Sequence, residues 1–529
     1  MNAPFRTDPE KSDPPAAIPY AQLTQMHPEL DLDLWRRLEL LYVGGYEMQK
    51  RAREFVPAVP GESTERYNWR LKHSSYISYV GQVVGYLAGA LFQAGLQVVP
   101  AADAGNPGTP GGVPSHDFYA EFAADCDLQG TAFADFLRTV TIDALLHRRA
   151  VVVLDMPPAP DVSNRADEER LGGGRAYVAQ LPLGNLLDWE QGDDGNLAWC
   201  IVKTRVCKRR DVLSSRGTYR ERYTLWQLND GRAVYRVFET RDISDQKPMR
   251  AEEPVECVTP ATATTFKTLP VKQLVLPEAL WIGNKAGPLA EEHFRKRSDL
   301  AGAMSRSLLE VPYVKRGPEI PAVHGAISET QSDPHRGADP VGQALDKGWV
   351  ELGSEDEIGF AGPSGRAFEI AARQCHELRD EIFRSVHAMA LSLANTSASV
   401  GRSGDSKRED RSATEIVLDA LGDDVRRFAR ELYTCISRAR NERIVWVAHG
   451  LDKFSNENAA ELVEEAPLVM ATNIASPTFR REYAKKFAFT VLPKLSAETK
   501  QQIGREIDEG TIPEDYMLPH LHLEPEGDE

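Results

Sequence analysis

Cysteine is scarce in this chain: Cys126, Cys200, Cys207, Cys257, Cys375 and Cys435 are scattered through 529 residues without a CxxC pair. The run from Pro4 to Lys11 lacks the apolar core of a signal peptide, so reduced thiols in a cytoplasmic compartment are expected. Long apolar runs are missing too. The nearest candidate, residues 76–92, carries Ser78 and Gln82 and, at about 17 residues, sits at the lower limit for spanning a bilayer. It is expected to be a buried helix, with no membrane among the partners. Gly81, Gly85 and Gly89 recur there every four residues and predict a face along which another element packs closely.

Positive charge is also in short supply. With 62 Lys and Arg against 79 Asp and Glu, the formal net charge is −17. A protein that coats nucleic acid needs clustered cations to neutralise phosphates, so that class is disfavoured; an acidic surface would hold DNA only loosely. Catalytic signatures are absent: no Gly-x-Ser-x-Gly, HExxH or P-loop occurs. The triplet at 172–174 is all glycine, but a strand-like run at 176–181 follows it and not the helix that a phosphate-binding turn requires. Cys375, His376 and His387 share one helical segment, yet the two histidines are eleven positions apart, whereas helical zinc ligands sit at i and i+4. His520 and His522 stand in a loose acidic tail. The basic run from Arg205 to Arg210 reads as a charged strand end or a subunit contact. The chain is therefore expected to be no enzyme, with no catalytic residue, no cofactor and no metal.

What is present is ordinary globular material, 42% hydrophobic, and enough chain for three to four domains. Residues 1–28, rich in proline, predict a flexible or extended arm. Helices are predicted at 30–55 and 64–94, at 116–126 and at 131–147, and the run Ala150 to Leu154 is a buried strand. Short strand-like runs over 176–275, with a turn at Asn229, Asp230 and Gly231, predict an antiparallel β region. Residues 289–309 return to helix, with Leu289, Phe294, Leu300, Ala301, Met304 and Leu308 inward and Arg295, Lys296, Arg297 and Arg306 outward. Small strands are expected at 311–314 and 349–352, within a stretch rich in Pro, Gly and Asp. Short helices around 459–470, 477–487 and 496–509 close the chain.

Two amphipathic segments flank a polar loop. Before it, Phe368, Ala371, Ala372, Cys375, Leu378, Ile382, Val386 and Met389 form a helical stripe. Residues 395–411 hold no apolar anchor except Val400. Beyond them, Ser412 to Glu415 has the capping-box pattern, and a helix running to Val447 would reach roughly 54 Å. A loop this long between well-specified flanks predicts a tip presented to something.

This order of elements, with Tyr42-Val-Gly-Gly45, Phe55-Val-Pro-Ala-Val-Pro-Gly-Glu62, Tyr67-Asn-Trp-Arg-Leu71 and Ser412-Ala-Thr-Glu415, resembles the portal proteins of tailed bacteriophages over roughly residues 30–510. It is similar in particular to a subfamily long catalogued only as a domain of unknown function. The resemblance implies an α+β portal fold: wing (29–286, helices then antiparallel β region), first stem helix (287–310), clip (311–365) and second stem helix (366–394). A tunnel loop (395–411), a long wing helix (412–450) and a crown with an acidic tail (451–529) would follow.

It further implies a homo-oligomeric ring, a dodecamer, at one capsid vertex. Double-stranded DNA would pass through it non-specifically during packaging and ejection. Other partners would be the terminase large subunit, the major capsid and scaffolding proteins and the head–tail adaptor. The location would be the virion, after assembly in the host cytoplasm. Arg402, Asp405, Lys407, Arg408 and Arg411 would be the DNA-channel loop, and Arg295, Lys296, Arg297 and Arg306 the charged stem. Rival readings are another virion component, an adaptor or minor capsid protein, and a cytoplasmic enzyme with an unrecognised site. Adaptors are generally much shorter, and an enzyme would be a monomer or dimer with a polar pocket.

Overall fold

A computed structural model describes residues 17–101, 116–156, 175–208 except 194, 218–243, 248–307, 311–315, 357–361, 365–394, 406–451, 466, 476–492 and 497–510. The architecture is α+β, and the chain divides into a unit of residues 1–453 and a smaller one of 454–529.

The described chain begins with strand β1 (Ala17–Pro19), which pairs antiparallel with a strand far along the sequence, and a single helical turn, α1 (Tyr20–Leu23). The expected arm of residues 1–28 is thus corrected over its second half. Ile18 and Leu23 are buried, and apolar contact of this kind outweighs the extended tendency of the surrounding prolines. The helix expected at 30–55 is three: α2 (Leu32–Val43), α3 (Gly45–Lys50) and α4 (Ala52–Phe55). Gly44 and Gly45 adopt φ of +63° and +56°, a conformation that ends α2. The next expected helix likewise divides into α5 (Thr64–His73) and α6 (Tyr79–Leu91), capped by Ser63 and Ser78.

Of the three glycines in α6, only Gly81 makes the predicted close approach. A Cβ there would lie 2.7 Å from the Tyr42 carbonyl, whereas Gly85 faces open space. Strand β2 (Leu96–Pro100), α7 (His116–Ala124), α8 (Phe133–His147) and β3 (Arg149–Asp155) follow. Arg148 turns the chain from α8 into β3 in the left-handed conformation, φ +73°.

The β region is as expected from period-two patterning. Strands β4 (Tyr177–Leu181), β5 (Leu186–Gln191), β6 (Leu197–Lys208), β7 (Thr218–Asn229), β8 (Arg232–Glu239), β9 (Pro254–Ala263) and β10 (Val271–Val275) form two antiparallel sheets. Their orders are β1-β9-β8-β7-β6-β5 and β10-β3-β4. Asp230 and Gly231, both at positive φ, make the tight turn that brings Asn229 opposite Arg232. One face of the six-stranded sheet packs Ile18, Leu187, Ile201, Tyr223, Phe238 and Val255 into a closed core.

Helix α9 (Ile282–Ser307) begins earlier than the expected 287–310, with Pro288 in its second turn. Close packing explains the extra turn: a Cβ at Gly283 would lie 2.0 Å from the Leu146 carbonyl and one at Gly287 2.8 Å from Leu38. Two short strands, β11 (Val311–Lys315) and β12 (Glu357–Ala361), then pair antiparallel. The strand expected at 349–352 lies outside the described residues. Helix α10 (Gly365–Ala394) matches the expected 366–394.

Helix α11 (Ser406–Ala439) departs at both ends from the expected loop at 395–411 and helix from 412 onward. Its first residues, Ser406-Lys-Arg-Glu409, repeat the capping-box pattern of Ser412 to Glu415, and no Gly or Pro interrupts the interval. At its other end Asn441, at φ +59°, closes the last turn while the Glu442 N–H donates to Ser437 O at 2.8 Å. Val447, expected on the helical stripe, lies instead in β13 (Trp446–Gly450), paired with β2. Tyr433 of α11 is buried among Tyr119, Phe122, Phe133 and Trp446, an aromatic cluster that fixes α11 against α7, α8 and β13. In the smaller unit, α12 (Pro477–Val491) and α13 (Ala497–Glu509) are joined by an ion pair of Lys485 with Asp508 at 2.7 Å.

Candidate functional site

Helices α9 and α10 run antiparallel. Tyr79 of α6 stacks edge-on against both His293 and Phe383, and further along the pair Leu300 and Met304 share a cleft with Ala372 and Cys375. Strands β11 and β12 extend this pair at its far end, where the chain leaves α9 and returns to α10.

Two guanidinium networks anchor α9, one at Glu291 and one at Asp299. Arg37 donates to Glu291 from Nε at 3.1 Å and from Nη2 at 2.6 Å, and Arg295 donates to the same carboxylate at 3.0 Å and to Phe55 O at 2.8 Å. Arg70 is buried. Its Nε and Nη2 donate to the two oxygens of Glu62 at 2.9 and 2.7 Å, its Nη1 to Asp299 at 2.9 Å and its Nη2 also to Pro57 O at 2.8 Å. The Arg70 hydrogen bonds hold the Glu62 carboxyl below the usual carboxylate range, and Glu62 in turn raises the Arg70 pKa. Gly302 leaves room for this arginine, since a Cβ there would come within 3.1 Å of its Cδ. The sequence stretches 55–62 and 67–71 thus meet at one point, which no local pattern indicates.

Midway along the pair, a cleft of about 320 Å³ is lined by Tyr79, His293, Arg297, Met304, His376 and Arg379, among others. His293 is 3% exposed and its Nδ1 has no hydrogen-bond partner among the described residues. Burial, and then the charges of Arg297, Arg379 and His376, push its pKa down to about 4, so the ring is neutral near pH 7. Arg379 meets Asp380 at 2.8 Å, a half-exposed pair of little strength. Part of the pair's apolar surface is uncovered. Met304, Ile370 and Phe383 are 45%, 50% and 42% exposed, and Ala301, expected inward, is exposed as well.

The sequence-derived residues fall in three groups. Arg295 faces outward as expected and is also tied into the anchor through Glu291 one turn away. Lys296 is exposed and Arg297 lines the cleft. Lys407, Arg408 and Arg411 lie on the first turns of α11 and not in a loop, while Arg306 lies in the last turn of α9. Arg402 and Asp405 lie outside the described residues. On α11, Arg426 donates to Gly450 O and Leu451 O at 2.9 and 2.6 Å, and Arg427 pairs with Asp424, so part of its basic face is satisfied within the chain. Arg205 lies over the Tyr219 ring at 4.0 Å.

His376 and Arg379 were missed as partners of Arg297 because they are on another helix; the only local signal was their i, i+3 spacing. Among the described residues, no group of three or more His, Cys, Asp or Glu could hold a metal ion, and no helix is long and apolar enough to cross a membrane. No protein-family model matches the chain, and no curated protein matches it.

Proposed function

We propose that this chain is a non-enzymatic subunit of a portal-type ring at one capsid vertex. Double-stranded DNA passes through the ring during packaging and ejection. The terminase large subunit docks on it first and the head–tail adaptor later, while major capsid and scaffolding proteins surround it. Any energy for transport comes from the motor.

The observation that carries this reading is the α9–α10 pair. Ion pairs of Arg37 and Arg70 anchor α9 from Glu291 to Asp299, a two-stranded sheet follows its last turn, and Met304, Ile370 and Phe383 stay uncovered. A helix pair of this kind gains by having a neighbour, and a chain with different surfaces on its two sides closes into a ring by head-to-tail contact. The net charge of −17 suits a conduit that must not grip phosphates. Lys407, Arg408 and Arg411, at the positive end of the α11 dipole, then supply a few weak contacts without sequence readout, together with Arg402, while Asp405 keeps them weak.

Light scattering and imaging of the purified chain test this. The expected result is a particle of about twelve 58.7 kDa chains with a central channel. A stable monomer or dimer at high concentration would refute the ring. Replacing residues 402–408 by a Gly-Ser link is expected to leave rings intact and impair packaging. Packaged DNA of normal length would remove the loop from the DNA path.

A further inference from the structure

Resting on the ring reading, we infer that the α9–α10 cleft receives Glu377 and Glu381 of a second copy of this chain. The cleft gathers Arg297, His376 and Arg379 around a neutral buried imidazole, and exposed Lys296 adds positive charge on the same helix. Among the described residues, no carboxylate makes an ion pair with Arg297.

Helix α10 has a second, different face. At about 100° per residue, Glu377 and Glu381 point roughly 170° away from the mean direction of Ala372, Cys375, His376 and Arg379. Both are exposed, and neither has an ion pair among the described residues. Arg373 and Arg384 share that face, one turn or so beyond the two carboxylates on either side.

Cyclic symmetry then selects the pairing. Where a helix runs close to the ring axis, same-numbered residues of adjacent copies stand at the same height. Glu377 and Glu381 of one copy therefore meet His376 and Arg379 of the next, while Arg373 and Arg384 fall above and below the cleft. The contact is heterologous: every copy gives carboxylates on one side and accepts them on the other. Desolvated between two helix pairs, such contacts are stronger than exposed ion pairs, and they explain why Arg297 has no acidic partner among the described residues of its own chain.

Two charge reversals test the pairing in the full-length chain. Arg297→Glu with Arg379→Glu makes the cleft acidic, and Glu377→Lys with Glu381→Lys makes the opposite face basic. Each variant alone is expected to lose at least tenfold in the fraction of chains found in rings. Mixed in equal amounts they are expected to recover rings of even number in which the two alternate, read by mass and by pull-down through a tag on one of them. The recovery also shows that both variants are folded. Wild-type rings with both variants unaffected would overturn the contact and leave the ring reading standing. Loss of rings without recovery on mixing would overturn this pairing. A wild-type chain that forms no ring would overturn the ring reading and the contact with it.

Discussion

The six-stranded sheet and the α9–α10 pair treat their apolar residues in opposite ways. In the sheet, Tyr223, Phe238 and Val255 are completely buried, covered by β1 and α1 from the start of the chain and by their own neighbours. On the helix pair, Met304, Ile370 and Phe383 keep 42% to 50% of their surface in solvent. A sheet with one closed face completes its core within a single chain. Helices α2, α5, α6 and α8 pack against α9, and α6 and α11 against α10, so Phe294, Ile382, Val386 and Met389 are buried while Met304, Ile370 and Phe383 stay open. The first region stabilises the subunit, and under the portal reading the second meets a neighbour.

The comparison breaks most directly at Phe238. Truncation to Ala in a closed core is expected to destabilise by about 3–5 kcal/mol, seen as a large fall in the thermal midpoint. A loss under about 1 kcal/mol would mean that this face is not closed. Arg70→Ala comes next. It strands Glu62 beside Asp299 and is expected to cost about 3 kcal/mol locally, read as faster hydrogen exchange in α5 and α9 with the six-stranded sheet unchanged. Equal loss of protection in the sheet would show that the two regions are not separately held.

A smaller effect separates the regions by pH. Asp143 of α8 is pushed up to about 6 by burial and by Glu39, against the opposing hydrogen bond from Gln180. Its folded pKa lies above the ordinary 3.8, so stability from this group is full below about pH 4 and is lost as pH rises through 6. Asp143→Asn is expected to add about 2 kcal/mol at pH 7 and nothing at pH 4, measured by denaturant unfolding at both. His147, one turn along, is pushed down to about 4 by burial and acts in the other direction, losing stability as pH falls from 6.5 to 4. A variant with unchanged pH dependence would show that Asp143 is ionised in the fold. The smallest effect is expected on the open pair. Ile370→Ser should change subunit stability by less than about 0.5 kcal/mol, while lowering the yield of rings under the portal reading. A clear drop in stability would mean that Ile370 is already covered.

Much of the fold was legible. The apolar run of β3, the Asn229–Gly231 turn and the stripe of α10 are local patterns, and each element stands where its pattern ends. The ends of α11 were less so. Two successive capping patterns compete at its start, and a single Asn at positive φ, which only the folded chain reveals, stops it before Val447. The early turn of α9 exists because Gly283 and Gly287 fit against α8 and α2, a relation between distant segments. The charged residues divide similarly. Their abundance on α9 and α10 was plain, but the division of Arg295 into an anchor and Arg297 into a cleft depends on Phe55, Glu291 and Arg379.

The sequence by itself determined the α+β class, the antiparallel β region and the acidic balance, because side-chain periodicity, turn chemistry and formal charge act over a few residues or simply add. Only the tertiary structure decided which arginines are anchors, which histidine is neutral and which apolar faces stay open. Burial and hydrogen bonding depend on what the rest of the chain brings alongside each group.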